Sequence, residues 1–165
     1  TIAYKNKKKL SVRIARIFNT YGPRMRINDG RAIPKFINQA LNNKDFTVYG
    51  DGFQTRSFCY INDTINGISK LLYSNYQLPI NIGNPDEYSI INLVKTIKLI
   101  TASKSKIKFE PLPINDPKVR KPSIELAETV LNWNPKINLI DGLNYTIQYY
   151  KNLSNFKEWI RNFFF

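Results

Sequence analysis

Apolar residues recur with two different periods along the chain, and together these periods predict alternating strands and helices. Alternation of apolar and polar positions predicts strands at 11–18, 46–49, 56–61, 79–82 and 106–109. Spacings of three and four predict helices at 31–41, after Asp63, from Ser89 to about Thr101, from Ser123 to Leu131, and from Asp141 onward. Strands that alternate with helices imply an α/β fold with parallel pairing.

Several side chains are predicted to start these helices or to line their apolar faces. Asp63, Ser89 and Ser123 are good N-cap residues for the helices that follow them. The predicted apolar stripes are Ile33, Phe36, Ile37, Ala40 and Leu41 in the first helix, Ile65, Ile68 and Leu72 in the second, Ile90, Leu93, Val94, Ile97 and Ile100 in the third, and Leu143, Ile147 and Tyr150 in the last.

Between these elements the chain is irregular. Turn-forming residues fill 19–29, a compact strand–loop–strand unit is predicted over 46–61, and prolines indicate a loop over 110–122. Five short strands do not complete a doubly wound sheet, and no glycine-rich dinucleotide fingerprint follows any of them. The chain also lacks an initiator Met, so we expect residue 1 to lie within a longer protein.

The 165 residues predict one domain, and their charge suggests an anionic partner. Lys and Arg number 25 against 12 acids, a formal charge of +13. This excess favours binding to polyanions, but the lysines are spread along the whole chain, which is more typical of a solvated surface. No apolar run is long enough to predict a membrane span, and the amino terminus does not resemble a secretory signal.

The scarcity of cysteine and histidine excludes several kinds of site. Cys59 is the single cysteine and the chain has no histidine, so no internal disulfide and no zinc cluster are expected. Proteases that need a catalytic histidine are excluded for the same reason. Phe58, Cys59 and Tyr60 are predicted to pack in the core.

Five sequence blocks together resemble one family. They are RIFNTYGPRMRINDGRAIPKFINQAL (16–41), VYGDGFQTRSFCYINDTINGI (48–68), NIGNP (81–85), DPKVRKPSI (116–124) and LNWNPKINLIDGLNYTIQYY (131–150). In order and spacing they resemble the carboxyl-terminal half of UDP-glucuronate decarboxylases, which are extended short-chain dehydrogenases of the NAD-dependent epimerase/dehydratase type. The resemblance covers 1–151 and leaves 152–165 as a tail.

The resemblance implies a fold, a reaction and partners. The fold would be the C-terminal part of a Rossmann-type doubly wound parallel sheet plus a smaller α/β substrate-binding lobe. The reaction would convert UDP-glucuronate to UDP-xylose by oxidation at C4 with NAD, loss of carbon dioxide and re-reduction. A homodimer and a cytoplasmic location are expected, or the Golgi lumen in a eukaryote.

The resemblance also places the redox residues outside this chain. The family's catalytic Tyr and Lys, in Y-x-x-x-K, would lie just upstream of Thr1, in a missing N-terminal Rossmann half. Tyr4 and Lys8 repeat the letters of that motif and are interpreted as helix surface. The chain alone is therefore expected to be inactive.

Site residues follow from the matched blocks. Arg56 would bind the diphosphate, as a bidentate guanidinium can. Asn19 would hold the diphosphate or the sugar, and Arg120 would act catalytically near the sugar carboxylate. The uridine would be lined by Tyr49, Gly50 and the segment 32–36, including Ile33, Lys35 and Phe36. Thr20 would lie beside the cofactor, and Arg31 would reach towards both the cofactor and the substrate. Trp133 would be a structural aromatic residue at a helix end and not a ligand. Many relatives carry Ser-Asn where this chain has Pro34-Lys35.

Two other functions remain open at the level of sequence. A UDP-sugar 4-epimerase or a dTDP-sugar 4,6-dehydratase of the same family would share most of these features. A basic nucleic-acid-binding module would account for the charge, although no platform of aromatic and basic residues supports it.

Overall fold

A computed structural model describes residues 10–112 and 119–164, and shows an α/β arrangement. The strands are β1 (Ile14–Ile17), β2 (Thr20–Tyr21), β3 (Phe46–Tyr49), β4 (Thr55–Ser57), β5 (Cys59–Tyr60), β6 (Pro79–Ile82), β7 (Glu87–Ser89) and β8 (Ile107–Glu110). The helices are α1 (Ala32–Leu41), α2 (Ile61–Tyr73), α3 (Ile90–Thr101), α4 (Glu125–Leu131) and α5 (Leu139–Phe164). Within these ranges no helix is both long and apolar enough to cross a membrane.

Two predicted features lie outside the described residues. The predicted helix surface around Tyr4 is one of them, and the first part of the block 116–124 is the other. The backbone of α5 continues to Phe164, so the stretch 152–164 is helical.

Parallel pairing, which the strand–helix alternation predicts, is confirmed. In the described part of the chain, β1 pairs with β6, β2 with β5 and β3 with β8, all in parallel, while β4 pairs with β7 in antiparallel orientation. The predicted strand–loop–strand unit over 46–61 is present as β3, a turn, β4 and β5, but β3 and β4 pair with different partners and not with each other. Gly50 and Gly52, both with left-handed backbone, turn the chain between them so that Gly52 O accepts from Ile91 N at the start of α3.

The apolar faces of α1, α3 and α5 form one core with β3. Ile37, Leu93, Ile97 and Leu143 are fully buried there, as their spacing predicts. A second core lies between α2, α4 and β6, and Trp133 is buried in it, as the sequence predicts. The two cores leave the ends of β1–β2, β3 and α1 free to surround a cavity.

One of the two predicted serine caps is confirmed. Ser89 Oγ accepts from Asn92 N at 3.3 Å and starts α3. Ser123 is not a cap: α4 begins after Ile124, without a side-chain cap. Ser123 instead uses its carbonyl to accept from the Asn81 side chain at 2.9 Å, which ties the start of α4 to β6.

The apolar stripe of α2 faces away from the core. Ile65, Ile68 and Leu72 are 54%, 37% and 61% exposed. The face of α2 that packs inward carries Gly67, where an added Cβ would lie 2.9 Å from the Trp133 ring. The small residue permits close packing of the helix, and the larger apolar side chains are left on the opposite side.

Asp63 does not cap α2, contrary to expectation. The N-cap residue is Tyr60, and Asp63 lies inside the first turn. Its carboxylate is buried and accepts from the backbone amides of Lys136 and Ile137, at 3.0 and 2.9 Å. Its carbonyl accepts from Trp133 Nε1 at 3.0 Å, so one residue joins α2 to the connection between α4 and α5.

Removing the Asp63 carboxylate should destabilise the fold. We expect Asp63→Ala to lower the free energy of unfolding by about 2–4 kcal/mol, since two amides lose their acceptor in a buried place. Asp63→Asn keeps one acceptor oxygen and should cost less. Urea denaturation followed by circular dichroism checks this, and equal stabilities for Asp63→Ala and wild type would contradict it.

Candidate functional site

A cavity of about 540 Å³ opens where β2, β3 and β4 meet the amino end of α1. Nine of the individually predicted site residues line it: Asn19, Thr20, Arg31, Ile33, Lys35, Phe36, Tyr49, Arg56 and Arg120. Ala32 and Pro34, from the predicted segment 32–36, line it as well. Gly50 is outside the lining. Its amide donates to Glu110 O at 2.7 Å, so its role in the structure is to turn the chain after β3.

The cavity is cationic. Arg31, Lys35, Arg56 and Arg120 line it, and none of the described lining residues is an Asp or Glu. The amino end of α1 also borders it, with no side-chain cap and no acid in its first turn. Cationic side chains and uncapped helix amides both favour a bound anion. The chemistry of the cavity therefore suits an anionic ligand with several charges.

Arg56 is more buried, and Tyr49 more exposed, than is usual for these residue types on a strand. Arg56 is only 9% exposed, and its Nη1 donates to Thr55 O at 2.7 Å. Tyr49 is 38% exposed at the end of β3. A buried guanidinium at the wall of a cavity and an exposed aromatic ring beside it are typical of a ligand site rather than of a surface strand.

Asn19 is held in place by backbone contacts on both of its sides. Its backbone φ is positive, at 22°, a conformation that asparagine adopts more readily than most residues. Asn19 Nδ2 donates to Ser57 O at 3.0 Å, and Cys59 N donates to Asn19 O at 3.2 Å. Among the described residues, the second amide hydrogen and Oδ1 of Asn19 have no partner. The side chain can therefore still contact a ligand in the cavity.

Arg120 is connected to the same segment by Ser57, a residue that the sequence does not single out. Ser57 N and Ser57 Oγ both donate to Arg120 O, at 3.3 and 3.2 Å. The Arg120 side chain is exposed while its backbone is fixed. Because 63 residues separate the two partners, no local sequence signal indicates this contact.

Thr20 and Cys59 belong to a small buried network. Thr20 Oγ1 donates to Phe18 O at 3.3 Å and lies 3.0 Å from Thr64 Oγ1. Thr64 Oγ1 donates to Cys59 Sγ at 3.4 Å. Burial raises the pKa of Cys59 to about 11, so the thiol is protonated at neutral pH. Cys59 is a core residue, as expected.

Arg31 lies at the rim of the cavity. Its guanidinium contacts the Asp29 carboxylate at 2.7 Å, and its side chain is 62% exposed. The loop that carries Asp29 is fixed to α5, because Tyr150 Oη donates to Met25 O at 2.6 Å. Burial raises the pKa of Tyr150 to about 12, which keeps this donor protonated.

The remaining lining residues were not predicted as site residues. They are Tyr21, Met25, Gly30, Thr47, Gln54, Phe58 and Ile90. Phe58 and Ile90 were expected in the core and do pack there, but they also border the cavity. Gln54 Nε2 donates to Tyr49 O at 2.8 Å. Because Gln54 lies in the matched block 48–68, that block could have indicated it as a site residue.

Comparison with known proteins identifies the family. Residues 1–105 match the NAD dependent epimerase/dehydratase family. The chain belongs to this family. A UDP-glucuronic acid decarboxylase 1 from Danio rerio is 47% identical over 148 residues, which are 90% of this chain and 35% of that protein. The chain thus spans about a third of the length of this relative.

Solved structures agree with this assignment. A UDP-glucuronic acid 4-epimerase from Bacillus cereus, in complex with UDP-glucuronic acid and NAD, is 32% identical, with a TM-score of 0.84 over 92% of this chain and 49% of its own. A UDP-glucose 4-epimerase from Thermotoga maritima is 23% identical, with a TM-score of 0.88 over 93% of this chain and 50% of its own, and shows the fold alone. The predicted fold, part of a Rossmann-type sheet, is confirmed.

Loss of the Ser57 hydroxyl should loosen the segment that carries Arg120. We expect Ser57→Ala to raise the rate of tryptic cleavage after Arg120 about fivefold, because one hydrogen bond of about 1 kcal/mol no longer opposes local opening. Quantitative mass spectrometry of the released peptides measures the rate. Ser123→Ala is the control, since the Ser123 hydroxyl makes no hydrogen bond within the described residues. Equal rates for the two variants would contradict the anchoring role of Ser57.

Proposed function

We propose that this chain is the substrate-binding part of an NAD-dependent UDP-glucuronate decarboxylase that forms UDP-xylose. The observation that carries the proposal is the cavity with four cationic side chains and, among its described lining residues, no acid; the four cationic residues lie in the blocks that resemble the decarboxylases. UDP-glucuronate carries a diphosphate and a carboxylate, and such a cavity complements both groups. The similarity to UDP-glucuronic acid decarboxylases supports the same substrate.

Arg56 and Arg120 have different tasks in this proposal. Arg56 is buried and its Nη1 is bonded to the backbone, so it presents a preorganised cation to the diphosphate. Arg120 is fixed through its carbonyl while its side chain extends to the cavity. It would bind the sugar carboxylate and, once carbon dioxide leaves the β-keto acid, stabilise the negative charge of the enolate.

The cofactor contributes the redox chemistry, and this chain supplies only part of its site. When bound, NAD would accept a hydride from C4 of the sugar and later return it. Thr20 and Arg31, the residues expected to approach the cofactor, both line the cavity. The sequence has no glycine-rich turn for the cofactor pyrophosphate. The residues therefore fit one edge of the cofactor site and not its phosphate-binding portion.

The exposed apolar face of α2 supports the presence of a further part of the enzyme. Ile65, Ile68 and Leu72 are exposed together, and Ile17 on β1 is 55% exposed. In the described chain, β1 pairs only with β6. An apolar helix face beside an open strand edge suits another α/β layer. We propose that the dinucleotide-binding half packs there, in an enzyme that is a homodimer.

The nearest alternative is a 4-epimerase of the same family. The similarity to a UDP-glucuronic acid 4-epimerase favours it, because that enzyme is named for the same sugar nucleotide. Incubating the full-length polypeptide with UDP-glucuronate and NAD distinguishes the two. Release of carbon dioxide together with formation of UDP-xylose supports the decarboxylase. Formation of the 4-epimer of UDP-glucuronate without release of carbon dioxide would show that the enzyme is the epimerase instead.

Substitution of the two arginines should separate turnover from nucleotide affinity. In the full-length polypeptide, Arg120→Ala should lower kcat about 100-fold or more, the loss typical of one charge-stabilising donor, with UDP affinity nearly unchanged. Arg56→Ala should mainly weaken UDP binding, about tenfold or more. Steady-state kinetics and calorimetry with UDP measure both. Similar effects of the two changes on both quantities would contradict this division.

The proposed packing of a further layer on the α2 face can be tested by measuring stability, without an enzyme assay. The double variant Ile65→Gln and Leu72→Gln should destabilise the full-length polypeptide by about 3 kcal/mol or more, because two side chains lose their burial against the added layer. Leu99→Gln on α3, where Leu99 is 82% exposed, is the control and should change stability by less than about 0.5 kcal/mol. If the double variant behaves like the control, the α2 face is not an interface.

A further inference from the structure

Lys35 and Tyr49 contact each other across the cavity wall. Lys35 Nζ lies 4.4 Å from the centre of the Tyr49 ring and 3.5 Å from Tyr49 Oη. An ammonium within about 6 Å of a ring centre is attracted by the ring face. Among the described residues, Tyr49 is the one partner of the Lys35 ammonium. The cation therefore covers part of a ring face that is otherwise available to a ligand.

The contact is weak enough to be exchanged for a better one. The Tyr49 side chain is partly exposed, and a cation–π contact at an exposed site is worth only about 0.5–1 kcal/mol. A charge-assisted hydrogen bond from the same ammonium to a phosphate is stronger. No carboxylate lines the described cavity wall, so a phosphate brought by a ligand would be the first strong anionic partner for Lys35.

The remaining geometry favours such an exchange. Lys35 stands one turn inside the amino end of α1, which borders the cavity together with Arg31. Tyr49 is held from its backbone, where Gln54 Nε2 donates to Tyr49 O at 2.8 Å. The backbone that carries the ring is thus fixed, while the lysine has a flexible four-carbon stem. The ammonium can move without disturbing the ring.

We propose that Lys35 is a specificity determinant that makes nucleotide binding depend on phosphate. In the free protein its ammonium covers the Tyr49 ring. A nucleoside diphosphate draws the ammonium to its phosphates and uncovers the ring for the base, whereas a nucleoside must displace the ammonium without offering it a new partner. This rests on the proposed function, because it assumes that a uridine nucleotide is the ligand.

Binding of UDP and of uridine to the full-length polypeptide tests this role by titration calorimetry. Lys35→Ala should weaken UDP binding about fivefold to tenfold, since the ammonium–phosphate contact is lost. The same change should leave uridine binding unchanged or strengthen it up to about threefold, because the ring is no longer covered. The preference for UDP over uridine should therefore fall at least fivefold. Lys35→Arg, which keeps the charge, should retain most of the preference.

Lys44→Ala is the matched control, because it removes the same charge just after α1, at an exposed position outside the cavity lining. Its preference for UDP should equal that of the wild type. Equal loss of UDP and uridine affinity in Lys35→Ala would overturn the proposal and indicate a structural role. Unchanged UDP affinity would overturn it as well. Failure of the wild type to bind UDP would refute the proposed function itself.

Discussion

Backbone hydrogen bonds to the segment 57–59 fix the shape of the site. This segment passes between β4, which pairs with β7, and β5, which pairs with β2. On one side Ser57 O and Cys59 N bond to Asn19, and on the other Ser57 N bonds to Arg120 O. Because these contacts join parts of the chain that are remote in sequence, Asn19 and Arg120 come together only when the sheet has formed.

The concentration of positive charge at the cavity is the second constraint. The cavity concentrates cations, while the nearby Asp29 is engaged with Arg31 at the rim. Like charges that lie close together repel, and this repulsion disfavours the protein without ligand. An anionic ligand relieves this cost and should raise the apparent stability of the fold. The sequence alone does not say which anionic partner the overall charge of +13 favours. The cavity is one place where part of this charge is concentrated.

Sequence predicts the local parts of this fold well and the long-range parts poorly. The stripe of α3 and its Ser89 cap depend on residues a few positions apart, and both are as expected. The partner of β3 is β8, some sixty residues away, and no local pattern encodes that choice. The α2 stripe shows the same limit, since periodicity reveals an apolar face but not that Gly67 turns the opposite face inward.

For the site residues too, sequence motifs predict some of them, and contacts between distant parts of the chain determine the others. Matched blocks led to nine residues that line one cavity, because ordered motifs carry information that single residues lack. Ser57 was missed because its importance lies in the atoms that it contacts. Asp63 was assigned to a cap because an acid near a helix start usually is one. Its actual acceptor role depends on two amides more than seventy residues away.

The exposure of Arg120 bears on the proposed decarboxylation. A guanidinium in water stabilises a developing charge weakly, since the high dielectric screens it. For Arg120 to lower the barrier of a decarboxylation, the cavity must be closed and its water removed. Within the described chain, Arg120 is exposed, and the apolar face of α2 is exposed as well. If another layer covers that face and carries the cofactor over the cavity, the same event completes the fold and desolvates the arginine, so catalysis and assembly would depend on one contact surface.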